Sequence, residues 1–169
     1  MGLVDETNVI DLSIPAIEKK KYRINGDNDK ILELNTSDAN IITRLTEGYD
    51  KLVEYGKAVA ELSDAINEED DTEESMQALS EKLKEIDTQM KEIVDYIFDA
   101  NVSEVCAGNA SMYDPLDGKF RWEHIIESIG SLFEKSFVNE FKEMQKHTAK
   151  HTDKYTNTTS TKKKGKSKS

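Results

Sequence analysis

The tightest constraint in this chain is a run of spacings. Met76, Leu79, Leu83, Ile86, Met90, Ile93 and Ile97 follow one another at intervals of 3, 4, 3, 4, 3 and 4, which places seven apolar side chains in one narrow stripe of an α-helix. A stripe of that length must be covered by another helix. The preceding segment supplies one, because Ile41, Leu45, Tyr49, Leu52, Val59, Leu62 and Ile66 recur at nearly the same period. Between them, Glu68, Glu69, Asp70, Asp71, Glu73 and Glu74 crowd six acids into seven positions. This suits a solvated turn followed by the positive N-terminal end of the next helix. The pattern predicts helices near 37–66 and 73–100 packed as an antiparallel hairpin, with each arm near 40 Å long at ~1.5 Å per residue.

Upstream, Thr36, Ser37 and Asp38 offer capping oxygens for the first helix. Lys21–Asn25 and Lys30–Asn35 flank the turn-forming Gly26, Asp27, Asn28 and Asp29, predicting a β-hairpin with strands near 21–25 and 30–35. Leu32 and Leu34 then share one face, and Ile31 and Glu33 the other. Val9 to Ile14 alternates in part before Pro15 and predicts an edge strand near 9–14. Downstream, 101–118 is rich in Gly, Asn, Asp and Pro and reads as an ordered connection with a short helical piece near Val102–Ala107. A third long helix is predicted near 120–148. It carries Trp122, Ile125, Ile126, Ile129, Leu132, Phe133, Phe137, Phe141 and Met144 as a broad stripe, and with Phe120 the segment holds four of the five phenylalanines.

The expected fold is therefore mainly α. It has a small N-terminal β-hairpin element, a long antiparallel helical hairpin and an aromatic-rich third helix, all in one domain over 1–150, and a disordered basic tail over 151–169. Leu, Ile, Val and Phe make up 38 of 169 residues, just above the roughly 20% below which a charged chain tends to stay unfolded, so the core is thin. The net charge is −11, and setting aside the five lysines of Thr161–Ser169 leaves the rest at −16. A body so acidic repels nucleic acid, and specific nucleic-acid binding is not expected. No run of residues is long and apolar enough for a membrane span, and Met1 to Ile14 has no signal-peptide pattern, so a cytoplasmic location is expected.

Candidate chemistry is sparse. Glu69, Asp70 and Glu73 followed by Glu92 and Asp95 loosely imitate the Mg²⁺-binding acids of an all-helical class of nucleotide pyrophosphatases. However, Glu92 and Asp95 fall outside the seam and the first cluster falls in the turn. Asn25, Asp27 and Asp29 imitate the start of a calcium loop, but Lys30 stands where Gly is needed and Thr36 where Glu is needed, which favours a hairpin turn. His147 and His151 share a helical face without a third ligand. Cys106, the sole cysteine, has no partner base in its surroundings and reads as a small apolar residue. No Gly-rich phosphate loop or catalytic triad order is present. The reading is a non-enzyme with no catalytic residue, metal or cofactor.

The string from Tyr113 to Phe141, YDPLDGKFRWEHIIESIGSLFEKSFVNEF, resembles the tail assembly chaperones of siphophages and prophages of Gram-positive bacteria. There, an Asp-Gly-Lys-Phe-like turn opens a helix carrying Ile-Ile, Leu-Phe and spaced Phe positions. Lys20 to Leu45 is similar to the opening hairpin and first helix of that family. The resemblance implies a factor of the host cytoplasm, absent from the mature virion, that coats and solubilises the tape measure protein and helps recruit tail tube subunits. Phe120, Trp122, Phe133, Phe137 and Phe141 are the candidate partner-binding residues. The family often appends a second segment by ribosomal frameshifting, which implies a slippery site in the codons of Lys162–Lys164. The alternative is a structural or scaffold protein that self-associates through its helical hairpin.

Overall fold

The computed structural model describes residues 6–66 and 72–163. The side chains of Glu6, Ile66, Glu140, Phe141, Met144 and every residue beyond Lys146 lie outside the described residues. The chain is mainly helical, as the periodicity predicts. After a 3-10 turn at Glu6–Asn8 come β1 (Lys20–Arg23), β2 (Ile31–Leu34), α1 (Ile41–Ile66), α2 (Glu73–Phe98), α3 (Val102–Cys106), β3 (Pro115–Leu116), β4 (Lys119–Phe120) and α4 (Arg121–Lys163).

The opening hairpin follows from its turn chemistry. Asn25 and Gly26 both take left-handed backbone angles (φ 51° and 72°), and the Ile24 N–H donates to the Lys30 carbonyl at 2.9 Å. The Asp27 carboxylate accepts from the Asp29 N–H at 3.0 Å, so this acid braces the turn. Antiparallel pairing sets Tyr22 opposite Leu32 and Lys20 opposite Leu34. Leu32 and Leu34 point into the core while Ile31 and Glu33 face out. The strand expected at 9–14 does not form. Val9 to Lys19 has no regular structure and lies exposed, because alternation alone cannot make a strand without a neighbouring edge, and the described sheet here contains β1 and β2 only.

α1 begins at Ile41, a turn later than expected. Asn35 and Asp38 spend their side chains on local turns, accepting from the N–H groups of Ser37 at 3.2 Å and Asn40 at 2.9 Å. Asp38 also accepts from Arg44 at 2.6 Å, and the Arg44 Nε donates to the Ile97 carbonyl at 2.9 Å. The start of α1 is thereby tied to the end of α2. α2 is capped by Thr72, whose hydroxyl oxygen accepts from the Ser75 N–H, and Glu73 and Glu74 stand at its positive end. It stops at Phe98, where Asp99 takes a left-handed conformation.

α1 and α2 pack antiparallel and come close together at Gly48. A methyl group there would stand only 2.7 Å from the Ile97 side chain. The seam is not evenly covered. Ile86, Met90 and Ile97 are buried, Leu79 and Leu83 are half-buried, and Met76 is 50% exposed. Val94 and Phe98 add a second buried stripe beside Met90 and Ile97. The reason is layering: near its base the pair is covered by the sheet, the 101–118 connection and the first half of α4, and this cover thins beyond Ile86 toward Glu73; the turn expected over 67–71 lies outside the described residues.

Two acids on α2 hold that connection in place. Asp95 accepts from both the N–H and the hydroxyl of Ser103 at 2.7 Å, anchoring α3. Asp87 accepts from the Met112 N–H at 2.7 Å, fixing a side chain that is fully buried. Pro115–Leu116 and Lys119–Phe120 then pair as a miniature hairpin across Asp117 and Gly118, both left-handed (φ 48° and 78°). The sequence reading placed turn residues here but no strands. The hairpin sets the Phe120 ring against Gly56 of α1, where an added methyl group would meet it at 3.2 Å. Glu123 accepts from the Phe120 N–H at 2.7 Å and opens α4. The α4 backbone stays helical to Lys163, well past the expected end near 148, since Gln145 to Lys163 contains no Gly or Pro to stop it. Residues 164–169 of the basic tail fall outside the described residues.

Candidate docking groove

The first half of α4 presents two apolar ridges. Trp122, Ile125, Ile126, Ile129 and Phe133 turn inward and are buried. Along the flank facing α1 the cover is incomplete. Ile41, Ile42 and Leu45 of α1, Phe98 at the end of α2, and Ile126, Gly130, Phe133, Phe137 and Val138 of α4 line an apolar groove of about 440 Å³. Phe133 forms its floor against Phe98, ring centroids 5.6 Å apart. Phe137 is a half-buried wall, and Ile42 and Val138 stand 55% and 43% exposed at the lip. Glu127 and Glu134 sit on the rim. Glu127 accepts from Lys119 at 2.5 Å. That hydrogen bond lowers the Glu127 carboxyl pKa and raises that of Lys119, keeping both charged.

Of the five aromatic candidates, the groove brings together Phe133 and Phe137. Trp122 is buried elsewhere, edge-on to Tyr49 at 5.6 Å, and its indole N–H has no acceptor. As folded it offers a partner no surface, and Phe133 offers very little. Phe120 is half-buried on α1, and the side chain of Phe141 lies outside the described residues. The α1 wall and Val138 escaped the sequence reading. The available signal was adjacency: Ile41–Ile42 and Phe137–Val138 each add an apolar residue beside the stripe, and so extend apolar surface beyond what one helix contact covers.

The remaining candidates find other roles. Asp95 is committed to Ser103, and Asn25, Asp27 and Asp29 form the hairpin turn. Glu69 and Asp70, and the side chains of His147 and His151, lie outside the described residues. Cys106 is half-buried, and burial, aided by the charge of Asp95, pushes its thiol pKa up and away from nucleophilic use. Among the described residues no three His, Cys, Asp or Glu stand together to hold a metal ion, and no helix is long and apolar enough to cross a membrane. A larger hollow, about 820 Å³, lies beside β1, but Lys19, Lys21, Arg23 and Glu33 line it and it opens widely to water. The apolar groove is therefore the surface with the most to gain from being covered. No protein-family model, curated protein or solved structure matches the chain.

Proposed function

We propose that this protein is a tail assembly chaperone of the kind its sequence resembles, and that it holds amphipathic helical segments of the tape measure protein in the groove between α1 and α4. The groove itself carries the proposal, being apolar along its floor and acidic on its rim. From Ile126 to Val138 it runs about 18 Å at ~1.5 Å per residue, enough for roughly three turns of a client helix presenting residues at i, i+3, i+4 and i+7. Glu134, the rim acid that Lys119 does not already engage, favours clients whose apolar stripe is flanked by Lys or Arg. The strong negative charge of the body keeps loaded copies apart along a long client, which is what solubilising a tape measure protein requires. Tail tube subunits are the second partner in this reading, which places the protein in the host cytoplasm and outside the finished particle.

The test is co-expression with a tape measure protein, followed by affinity capture. The wild type is expected to keep the client soluble and to co-purify with it. Phe137→Ala and Val138→Glu, with unchanged far-UV circular dichroism, are expected to lose it, while Met76→Glu retains it. Finding the protein in purified particles, with no client captured from lysates, overturns the chaperone reading. It favours instead a scaffold that associates through the exposed end of the hairpin at Met76.

A further inference from the structure

A second apolar feature has no cover within its own chain. Val9, Ile10, Leu12, Ile14 and Ile17 are between 56% and 84% exposed along a segment without regular structure. We infer that Val9–Ile17 is an exchange arm that lies in the α1–α4 groove of a second copy of this chain.

The dimensions match. In an extended segment Ile10, Leu12 and Ile14 project to one side and Val9, Asp11 and Ser13 to the other, and Ile10 to Ile14 covers about 13 Å at ~3.3 Å per residue. The groove offers about 18 Å by the helical rise along α4, so all three side chains fit along it. The charges are compatible. Asp11, the one acid in 9–17, falls on the face turned away from the groove; beyond Glu18, Lys19 and Lys20 follow the arm, and Glu134 is the rim acid left open, Glu127 being held by Lys119.

Geometry also selects a neighbour over the arm's own body. The arm enters at Lys20 of β1, and Lys20 and Tyr22 border the flank of α4 bearing Leu132, Lys135, Ser136 and Asn139. At 3.6 residues per turn that flank is nearly opposite the one bearing Ile126, Gly130 and Phe137. To reach its own groove the arm must wrap around α4, and it does not: its apolar side chains stand in water. Exchange between copies covers both surfaces at once, and it needs no client, so the inference stands apart from the chaperone reading. Where that reading also holds, client helix and sister arm compete for one groove.

Sedimentation velocity of the full chain, without client, tests this with an arm variant, Leu12→Glu with Ile14→Glu, and a groove variant, Ile42→Glu with Val138→Glu. All four positions are exposed, so both variants are expected to fold. The wild type is expected to self-associate in a concentration-dependent way, and each variant to weaken association at least tenfold. Mixing the two variants should restore a heterodimer, because one intact arm then meets one intact groove. In a Cys106→Ala background, Ile14→Cys on one chain and Val138→Cys on another should form an interchain disulfide. A wild type that stays monomeric through the micromolar range, an arm variant that associates like the wild type, or Ile14→Cys and Val138→Cys chains that form no disulfide with each other overturns the inference.

Discussion

Replacing Gly48 by alanine sets two effects of known sign against each other. In the middle of a helix, glycine is less favourable than alanine by about 0.5–1 kcal/mol, so the substitution alone stabilises. The added methyl group, however, would stand 2.7 Å from both Cγ1 and Cδ1 of Ile97 and 3.1 Å from Cγ2 of Ile93, where carbon atoms normally rest about 3.5–4.0 Å apart. Ile97 is fully buried and cannot swing away, so α1 and α2 must separate locally and strain the Arg44 bond to the Ile97 carbonyl. Overpacking of this kind costs about 1–3 kcal/mol. Gly130 provides the control, since it also lies inside a helix but has nothing within 4 Å of an added methyl group. The propensity gain is common to both variants, and the difference between them isolates the packing cost. Gly130→Ala should therefore be more stable than Gly48→Ala by about 1–3 kcal/mol, a gap of roughly 2–12 °C in Tm for a chain of this size. Far-UV circular dichroism during thermal and urea unfolding measures it. If both variants are stabilised equally, the close approach of α1 to α2 at Gly48 is wrong.

The uneven burial of the seam predicts an order. Met90→Asp, at a fully buried site, should cost several kcal/mol and come close to unfolding the protein, while Leu83→Asp, half-buried and nearer the start of α2, should cost about 1–2 kcal/mol. The reverse order of melting temperatures refutes the gradient. Asp95→Ala strips both bonds from Ser103 and should lower stability by about 1–2 kcal/mol, read as a shift in urea midpoint; an unmoved midpoint removes Asp95 from its anchoring role. Burial pushes the Asp38 carboxyl up, but the hydrogen bonds from Arg44 and Asn40 and the charge of Arg44 outweigh this and hold its pKa below the usual 3.8. Its contribution is therefore whole above that value and lost as pH falls through the lowered one. The stability gap between wild type and Asp38→Asn should shrink along that acid limb, and a gap constant from pH 7 to the acid end of the titration contradicts the assignment. Reading the gene checks the frameshift expectation: the codons of Lys162–Lys164 should hold a slippery heptamer with an overlapping frame beyond it, and their absence removes the idea.

The hairpin of β1 and β2 was legible because Asn25–Gly26 and the Leu32/Leu34 alternation are local signals, each decided within a few residues. α2 was legible because its period repeats over its whole length. What the sequence could not show is which segment returns to cover which face. Gly48 and Gly56 carry no side chain to mark a contact, yet Ile97 and Phe120 pack against them. Asp95 read as an outward acid because the seam ran elsewhere, and its partner Ser103 arrives from a loop with no periodicity. Val9–Ile14 carries the alternation of a strand, but alternation records only that one side wants cover and not that the cover lies in the same chain. The groove was half-legible for the same reason: Phe133 and Phe137 announced an apolar face, and Ile42, one residue beside a good stripe, did not announce the opposite wall.

The helical pair is held at two levels. Arg44, Glu47 and Gly48 of α1 hold Tyr96 and Ile97 of α2 at the base, and near mid-length Asp87 binds Met112 while Phe120 meets Gly56. From Asp87 to Glu73, where the seam side chains are at most half-buried from Leu83 outward, α2 extends about 21 Å at ~1.5 Å per residue, so a tilt of about 10° sweeps the Glu73 end through about 4 Å. The outer part of the pair is thus a short lever with its fulcrum at the Asp87–Met112 bond. A pull on the Glu73 end falls first on that bond, which shields the Gly48–Ile97 contact and the groove beside it.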